Sequence, residues 1–284
     1  MRLLNQKTGI VILFFFAVIH CNAQLDELQF TRYTIRNGLL SSHINEIVQD
    51  KDGFLWIATN SGLNRFNGYD FEDITAITGL PKPLIVASLM CDSKGRIWIG
   101  TEQNGIFVFD PRKYSMVNYA KENEACRLGD NFIKAMFEDS KGRVWVSTWF
   151  GLHRFDEQEQ TFRAFPFGTA ESKKIFNYNV IEVIAEGPDG RLWMGTWGGG
   201  LHVFDPAQES FRHFESFSPG SSGRNAWVRD LNFDKNGRLW IATVGESLWE
   251  MDTRTYALRR KIRPDQRRSP GCGFFDGQVR APDI

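Results

Sequence analysis

The sequence predicts an all-β protein made of one repeated unit, on three observations. Five segments align on a single pattern: DKDGFLWIATNSGLNRFN from Asp50, DSKGRIWIGTEQNGIFVFD from Asp92, DSKGRVWVSTWFGLHRFD from Asp139, GPDGRLWMGTWGGGLHVFD from Gly187 and DKNGRLWIATVGESLWEMD from Asp234. Their tryptophans (Trp56, Trp98, Trp145, Trp193 and Trp240) lie 42, 47, 48 and 47 residues apart. Between the turn residues the apolar runs are strand-length, and no helical periodicity interrupts them. Four short strands in each repeat make a β-propeller blade. The expected fold is therefore a β-propeller of four-stranded antiparallel blades with five repeats visible.

Taken in chain order, residues 1–23 read as a signal peptide. Arg2 and Lys7 precede the apolar run Gly9–Ile19, and the small residues Cys21 and Ala23 set cleavage after Ala23. Lipid attachment at Cys21 is the lesser reading, because His20 before it is neither small nor apolar, and the run is short for a membrane span. Residues 24–262 hold the repeats, beginning with LQFTRYTI at 28–35, which reads as a strand before the first blade. Ile44/Ile47, Val86/Leu89, Ile133/Met136, Ile181/Ile184 and Val228/Leu231 then mark the first strand of each blade.

Each blade next makes a tight turn, where Gly53, Gly95, Gly142, Gly190 and Gly237 take a left-handed conformation that a Cβ would penalise. Asp50, Asp92, Asp139 and Asp234 fold their carboxylates onto the N–H groups of these turns. Gly187 breaks the series, so there the cap is lost or passes to Asp189. The second strand is apolar on both faces, as in a sheet covered on both sides. Its Trp shares a face with a small residue two positions on (Ala58, Gly100, Ser147, Gly195, Ala242), leaving room for a neighbouring blade. GLNRF and its equivalents give the third strand; Phe71, Tyr114, Phe162, Phe211 and Tyr256 mark the fourth.

A sixth motif would put Phe275 and Gln278 in first-strand slots and its turn Gly near residue 284. Residues 263–284 instead form an irregular tail rich in Arg, Pro and Gly. The five blades are thus expected to be an incomplete part of a longer propeller of about seven blades.

Composition narrows the function. Lys+Arg and Asp+Glu balance at 34 each, which is no footprint for a nucleic acid. The mature cysteines Cys91, Cys126 and Cys272 are odd in number and at no metal-ligand spacing, so neither a disulfide framework nor a metal is expected, and no cofactor motif occurs.

The pattern N…I…DxDGxLWIAT…GLxRF, carried most closely by SSHINEIVQDKDGFLWIATNSGLNRFNG, resembles the two-component regulator propeller repeat over about residues 28–260. That family forms the exported sensor region of hybrid histidine kinases. The resemblance implies a periplasmic module recognising oligosaccharides and signalling as a homodimer. It also implies a membrane helix and a kinase, which lie outside this sequence, so membrane contact would come only through that further part.

Two kinds of loop are expected on one face of the propeller. The loops between second and third strands carry Trp149, Phe150 and Trp197, whose flat faces suit stacking on a sugar. The loops before each first strand carry His43, Asn131, Tyr178, Asn179, Arg224 and Trp227 as hydrogen-bonding or stacking candidates. Against these stand plainer readings, in which the tryptophans cover blade junctions and the polar loops are simply solvated. The Asp turns lie on the opposite face and are structural. No catalytic residue is assigned. A virginiamycin-lyase-like enzyme would need a His or Glu facing the central channel, and His153 and His202 share one third-strand slot, which reads as structure. A secreted protein-binding propeller is the other alternative.

Overall fold

The computed structural model describes residues 30–165, 180–214, 227–244, 248–262 and 278–279. The described part from Thr34 onward consists of five antiparallel sheets, one per repeat. The first contains β1 (Ile44–Gln49), β2 (Leu55–Thr59), β3 (Gly62–Phe66) and β4 (Phe71–Asp73). The second is β5 (Val86–Cys91), β6 (Ile97–Thr101), β7 (Ile106–Asp110) and β8 (Ser115–Tyr119); the third is β9 (Ala135–Glu138), β10 (Val144–Thr148), β11 (Gly151–Asp156) and β12 (Thr161–Phe165). The fourth is β13 (Ile181–Glu186), β14 (Leu192–Thr196), β15 (Leu201–Asp205) and β16 (Ser210–Phe214). The fifth is β17 (Val228–Phe233), β18 (Arg238–Thr243), β19 (Leu248–Asp252) and β20 (Leu258–Ile262). A two-residue β21 (Gln278–Val279) lies parallel to β1, opposite Glu46 and Ile47.

The turn joining the first two strands explains the Asp–Trp spacing. Asp92 Oδ1 accepts the backbone N–H groups of Lys94 and Arg96, as expected, while Oδ2 accepts the indole N–H of Trp98 at 2.8 Å. Asp50 and Asp139 hold Trp56 at 2.7 Å and Trp145 at 2.8 Å in the same way. One carboxylate thus closes the turn and satisfies the one polar atom of a Trp driven wholly into the core, where an unpaired donor costs about 1–3 kcal/mol. Gly53, Gly95, Gly142, Gly190 and Gly237 all have φ between 73° and 89°. In the fourth sheet Asp189 takes over the Arg191 N–H, but Trp193 Nε1 finds no acceptor among the described residues.

The sheets pack in chain order: β1 against β5, β5 against β9, β9 against β13 and β13 against β17. Each Trp faces the following blade. Trp56 meets Phe109 at 5.9 Å, Trp98 meets Phe155 at 5.1 Å, Trp145 meets Phe204 at 5.5 Å, and Trp193 meets Phe233 at 6.2 Å. The small residue beside each Trp makes the room: a Cβ on Gly100 would lie 2.8 Å from Ile133, and one on Gly195 would lie 2.5 Å from Val228. Packing of this kind does not join β17 to β1 among the described residues. Trp240, which no blade follows among the described residues, is only half-buried, whereas the equivalent Trp side chains of the other four blades are no more than 1% exposed. The five blades form an open, incomplete propeller.

Two expectations need correction. Residues 30–34 form no strand, and Ile35–Asn37 is a 3-10 turn capped by Thr34; the rest of the expected strand, 28–29, lies outside the described residues. Its neighbours Gly38 and Leu40 cover the first blade instead, where the Gly38 carbonyl accepts from Asn64 and the Leu40 N–H donates to it. Tyr114 and Tyr256 do not belong to fourth strands but sit just before them with φ of 54° and 59°. The expected signal peptide and most of the tail lie outside the described residues.

Candidate functional site

Hydrogen bonds bring both kinds of loop to one face. The residue that ends or follows each second strand donates its N–H to the residue before a first strand: Asn60 to His43, Glu102 to Ile85, Trp197 to Val180 and Val244 to Trp227. The Asp turns are at the other end of the same strands.

On this loop face, three of the expected aromatic residues come together. Phe132 and Trp149 lie with ring centres 4.7 Å apart, Trp149 and Trp197 6.4 Å, and Trp197 and Trp227 5.1 Å, with interplanar angles of 31°, 26° and 23°. The result is a row of near-parallel rings running across the third, fourth and fifth blades, each ring half-buried. Phe150 stands beside the row, 63% exposed, with the Lys121 ammonium 5.9 Å from its ring centre. Asn131 is committed to its own loop: its amide donates to Glu122 at 2.9 Å and its carbonyl accepts the Lys121 N–H at 2.7 Å. The bond from Asn131 holds the Glu122 carboxyl below the usual range. Tyr178, Asn179 and Arg224 lie outside the described residues.

The structure adds a feature that alternation of side chains does not reveal. The pairing of first and second strands slips by one residue at the same place in four blades, between Ile44 and Glu46, Val86 and Ser88, Ile181 and Val183, and Val228 and Asp230. Such a bulge re-aims the extra side chain. The extra residues are Asn45, Ala87, Glu182 and Arg229, and the same slot in the third blade is Lys134, just before β9. All five line one cavity of about 110 Å³, together with His43 and Glu102.

Within that cavity Glu182 Oε2 lies 3.1 Å from Arg229 Nη1 and 3.6 Å from Lys134 Nζ. The carboxylate side chain is only 2% exposed, while Arg229 and Lys134 are 31% and 29% exposed. The acid lies behind and the two cations in front. The Arg229 guanidinium also stacks 5.2 Å from the Trp227 ring, which joins the cavity to the aromatic row. The two core histidines lie elsewhere: burial holds His153 below its ordinary pKa, and burial with the neighbouring His213 pushes His202 down to about 3.

Near-parallel rings and a polar cavity thus lie at one end of the strands, and the structural carboxylates lie at the other. Five segments, residues 38–61, 79–103, 127–150, 175–198 and 222–245, match the two-component regulator propeller repeat, and the chain belongs to that family. It is similar to the extracellular domain of a putative hybrid two-component system from B. thetaiotaomicron, at 25% identity and a TM-score of 0.65, over 81% of this chain and 31% of that one. A stretch of 75 residues, 24% of this chain, is 41% identical to a histidine kinase P4 from Formosa agariphila and spans 6% of that protein. A virginiamycin B lyase from Staphylococcus aureus shares the fold, at 16% identity and a TM-score of 0.61 over 78% of this chain and 70% of that one. The chain spans less than a third of the two-component relatives it matches.

Proposed function

We propose that the chain is the extracytoplasmic ligand-sensing propeller of a hybrid two-component sensor, and that its ligand is an oligosaccharide bound on the loop face. The observation that carries this is the row Phe132–Trp149–Trp197–Trp227. Near-parallel rings at successive blades offer flat apolar platforms to successive sugar units, each able to receive the C–H face of a pyranose. The reading agrees with the family of the repeats and with an extracellular relative. Export by residues 1–23 and signalling through a homodimer belong to the same proposal, with the kinase supplied by a further part. The propeller itself acts by binding, without catalysis.

Titration of the full chain against a panel of neutral and acidic oligosaccharides, followed by intrinsic tryptophan fluorescence, tests this. The expected result is saturable binding that tightens with chain length and weakens roughly tenfold or more in Trp149→Ala, the scale of one lost stacking contact. Binding that does not change with length or with Trp149 would refute the stacking role. A panel without any binder would favour a protein ligand instead.

A further inference from the structure

We infer that the axial cavity is a subsite for a carboxylate-bearing sugar, a uronate, whose carboxylate is gripped by Arg229 and Lys134. This inference rests on the oligosaccharide reading above and names the class of sugar it requires.

The cavity is built by one register slot. Because the first and second strands slip at the same point in four blades, the residues that reach the axis are fixed by backbone geometry. Two of the five slots hold cations, one holds a buried acid, and Asn45 and Ala87 complete the wall. Glu182 is nearly inaccessible, whereas Arg229 and Lys134, which line the cavity with it, keep 31% and 29% of their side-chain surface exposed.

Arg229 suits a carboxylate. Its guanidinium lies 5.2 Å from the Trp227 ring centre, and a guanidinium is the side chain whose planar fork matches the two oxygens of a carboxylate. Among the other lining residues, Glu102 is an acceptor only, and Asn45 is held in place by bonds from its amide to Asn60 and to the Val86 carbonyl. A carboxylate in the lining repels a second acid but accepts hydroxyl protons. A lining that combines two cations with an acceptor fits a ligand that carries both an acid group and hydroxyls. The contact of Arg229 with Trp227, the last ring of the row, lets such a unit be the end of a longer stacked chain.

The decisive comparison is isothermal titration of the full chain with a trimer of galacturonic acid and with the neutral galactose trimer. Glucuronate, inorganic sulfate and glutamate serve as small probes. The uronate trimer is expected to bind about tenfold or more tighter than the neutral one, with an advantage that shrinks as salt rises. Arg229→Gln should erase that advantage. Glu182→Gln, which removes the competing acid and leaves both cations, should strengthen uronate binding about threefold or more relative to the neutral trimer. A purely structural Glu182 would give no such gain, so this variant decides the matter even where Arg229→Gln fails to fold.

Equal affinity for the two trimers, or weaker uronate binding in Glu182→Gln, overturns the inference while leaving the oligosaccharide reading intact. Sulfate or glutamate binding as tightly as glucuronate also overturns it, because the cavity would then read charge alone or an amino acid. If neither trimer binds, both the inference and the oligosaccharide reading fall.

Discussion

The seam between the second and third blades and the seam between the fourth and fifth solve one geometric problem with different chemistry. In the former, Asp92 accepts the Trp98 indole, Glu138 accepts both the N–H and the hydroxyl of Ser93 at 2.6 and 2.7 Å, and Arg96 forks onto Glu157 at 2.8 and 3.0 Å. In the latter, Gly187 stands in the place of Asp92, Pro188 in that of Ser93 and Phe233 in that of Glu138. Aromatic contact fills the gap. Trp193 packs against Phe214 at 5.7 Å, Phe233 at 6.2 Å and Tyr256 at 6.3 Å. The missing Cβ at Gly187 is part of that exchange, since it would lie 3.3 Å from Phe233 and 3.0 Å from Trp193 Nε1. The third-strand slot follows the same division: His153 in the polar seam, Trp249 in the aromatic one. A seam therefore varies as a set of residues, and a single exchange within the set leaves a defect.

The largest test removes a seam's anchor. Trp145→Ala should cost about 3–5 kcal/mol in denaturant unfolding, because the side chain is fully buried against the next blade. Trp240→Ala, at the uncovered blade, should cost less than half as much. Equal losses would mean that the fifth blade is covered in solution.

Acid should distinguish the seams next. His202 packs between the third and fourth blades with its pKa lowered from 6.5 to about 3, by burial first and by His213 second. The unfolded chain takes up the proton below pH 6.5 and the folded one does not. Stability that is intact above 6.5 therefore falls by about 1.4 kcal/mol per pH unit down to pH 3. His202→Phe, which copies Phe107 in the second blade, should flatten this dependence; an unchanged acid limb would place the sensitivity elsewhere.

A smaller effect is expected where one latch is cut. Glu138→Ala hands the exposed Ser93 N–H and hydroxyl to water and should cost about 0.5–1.5 kcal/mol. The smallest is a repair. Gly187→Asp alone should gain nothing, since its Cβ would crowd Asp189 Oδ1 at 2.9 Å as well as Phe233. Combined with Phe233→Gln it should gain about 1 kcal/mol, as Trp193 Nε1 acquires an acceptor, and a double-mutant cycle reads the coupling. Additive effects would show that the residues of a seam vary independently.

The blades were legible in the sequence because the turn, the Trp and the small residue beyond it each answer a local steric demand that recurs with every copy. The indole bond was legible too, since Asp and Trp hold a separation of six residues at Asp50/Trp56, Asp92/Trp98, Asp139/Trp145 and Asp234/Trp240, but the carboxylate was read only as a turn cap. The aromatic that recurs after each Trp points to a fourth strand at Tyr114 and Tyr256, but in these two blades it sits in the left-handed turn just before the strand. Trp149, Trp197 and Trp227 were legible singly, as exposed-loop aromatics. Their alignment depends on the angle between blades, which leaves no mark in a linear pattern. The axial slot was hidden for a related reason: a bulge breaks strict alternation, so Lys134, Glu182 and Arg229 look like ordinary outward-facing residues of a first strand.

The direction in which each Trp points also gives the fold an arrow in time. A ribosome delivers the blades in order, and a blade's Trp finds its cover only when the following blade has been made. As the chain lengthens, every blade behind the leading one is finished, and a single sticky face travels forward with the newest blade. Synthesis thus advances like a zipper with one open tooth, and a stall within any repeat exposes the same indole, in the same setting, to whatever chaperone or neighbouring chain reaches it first.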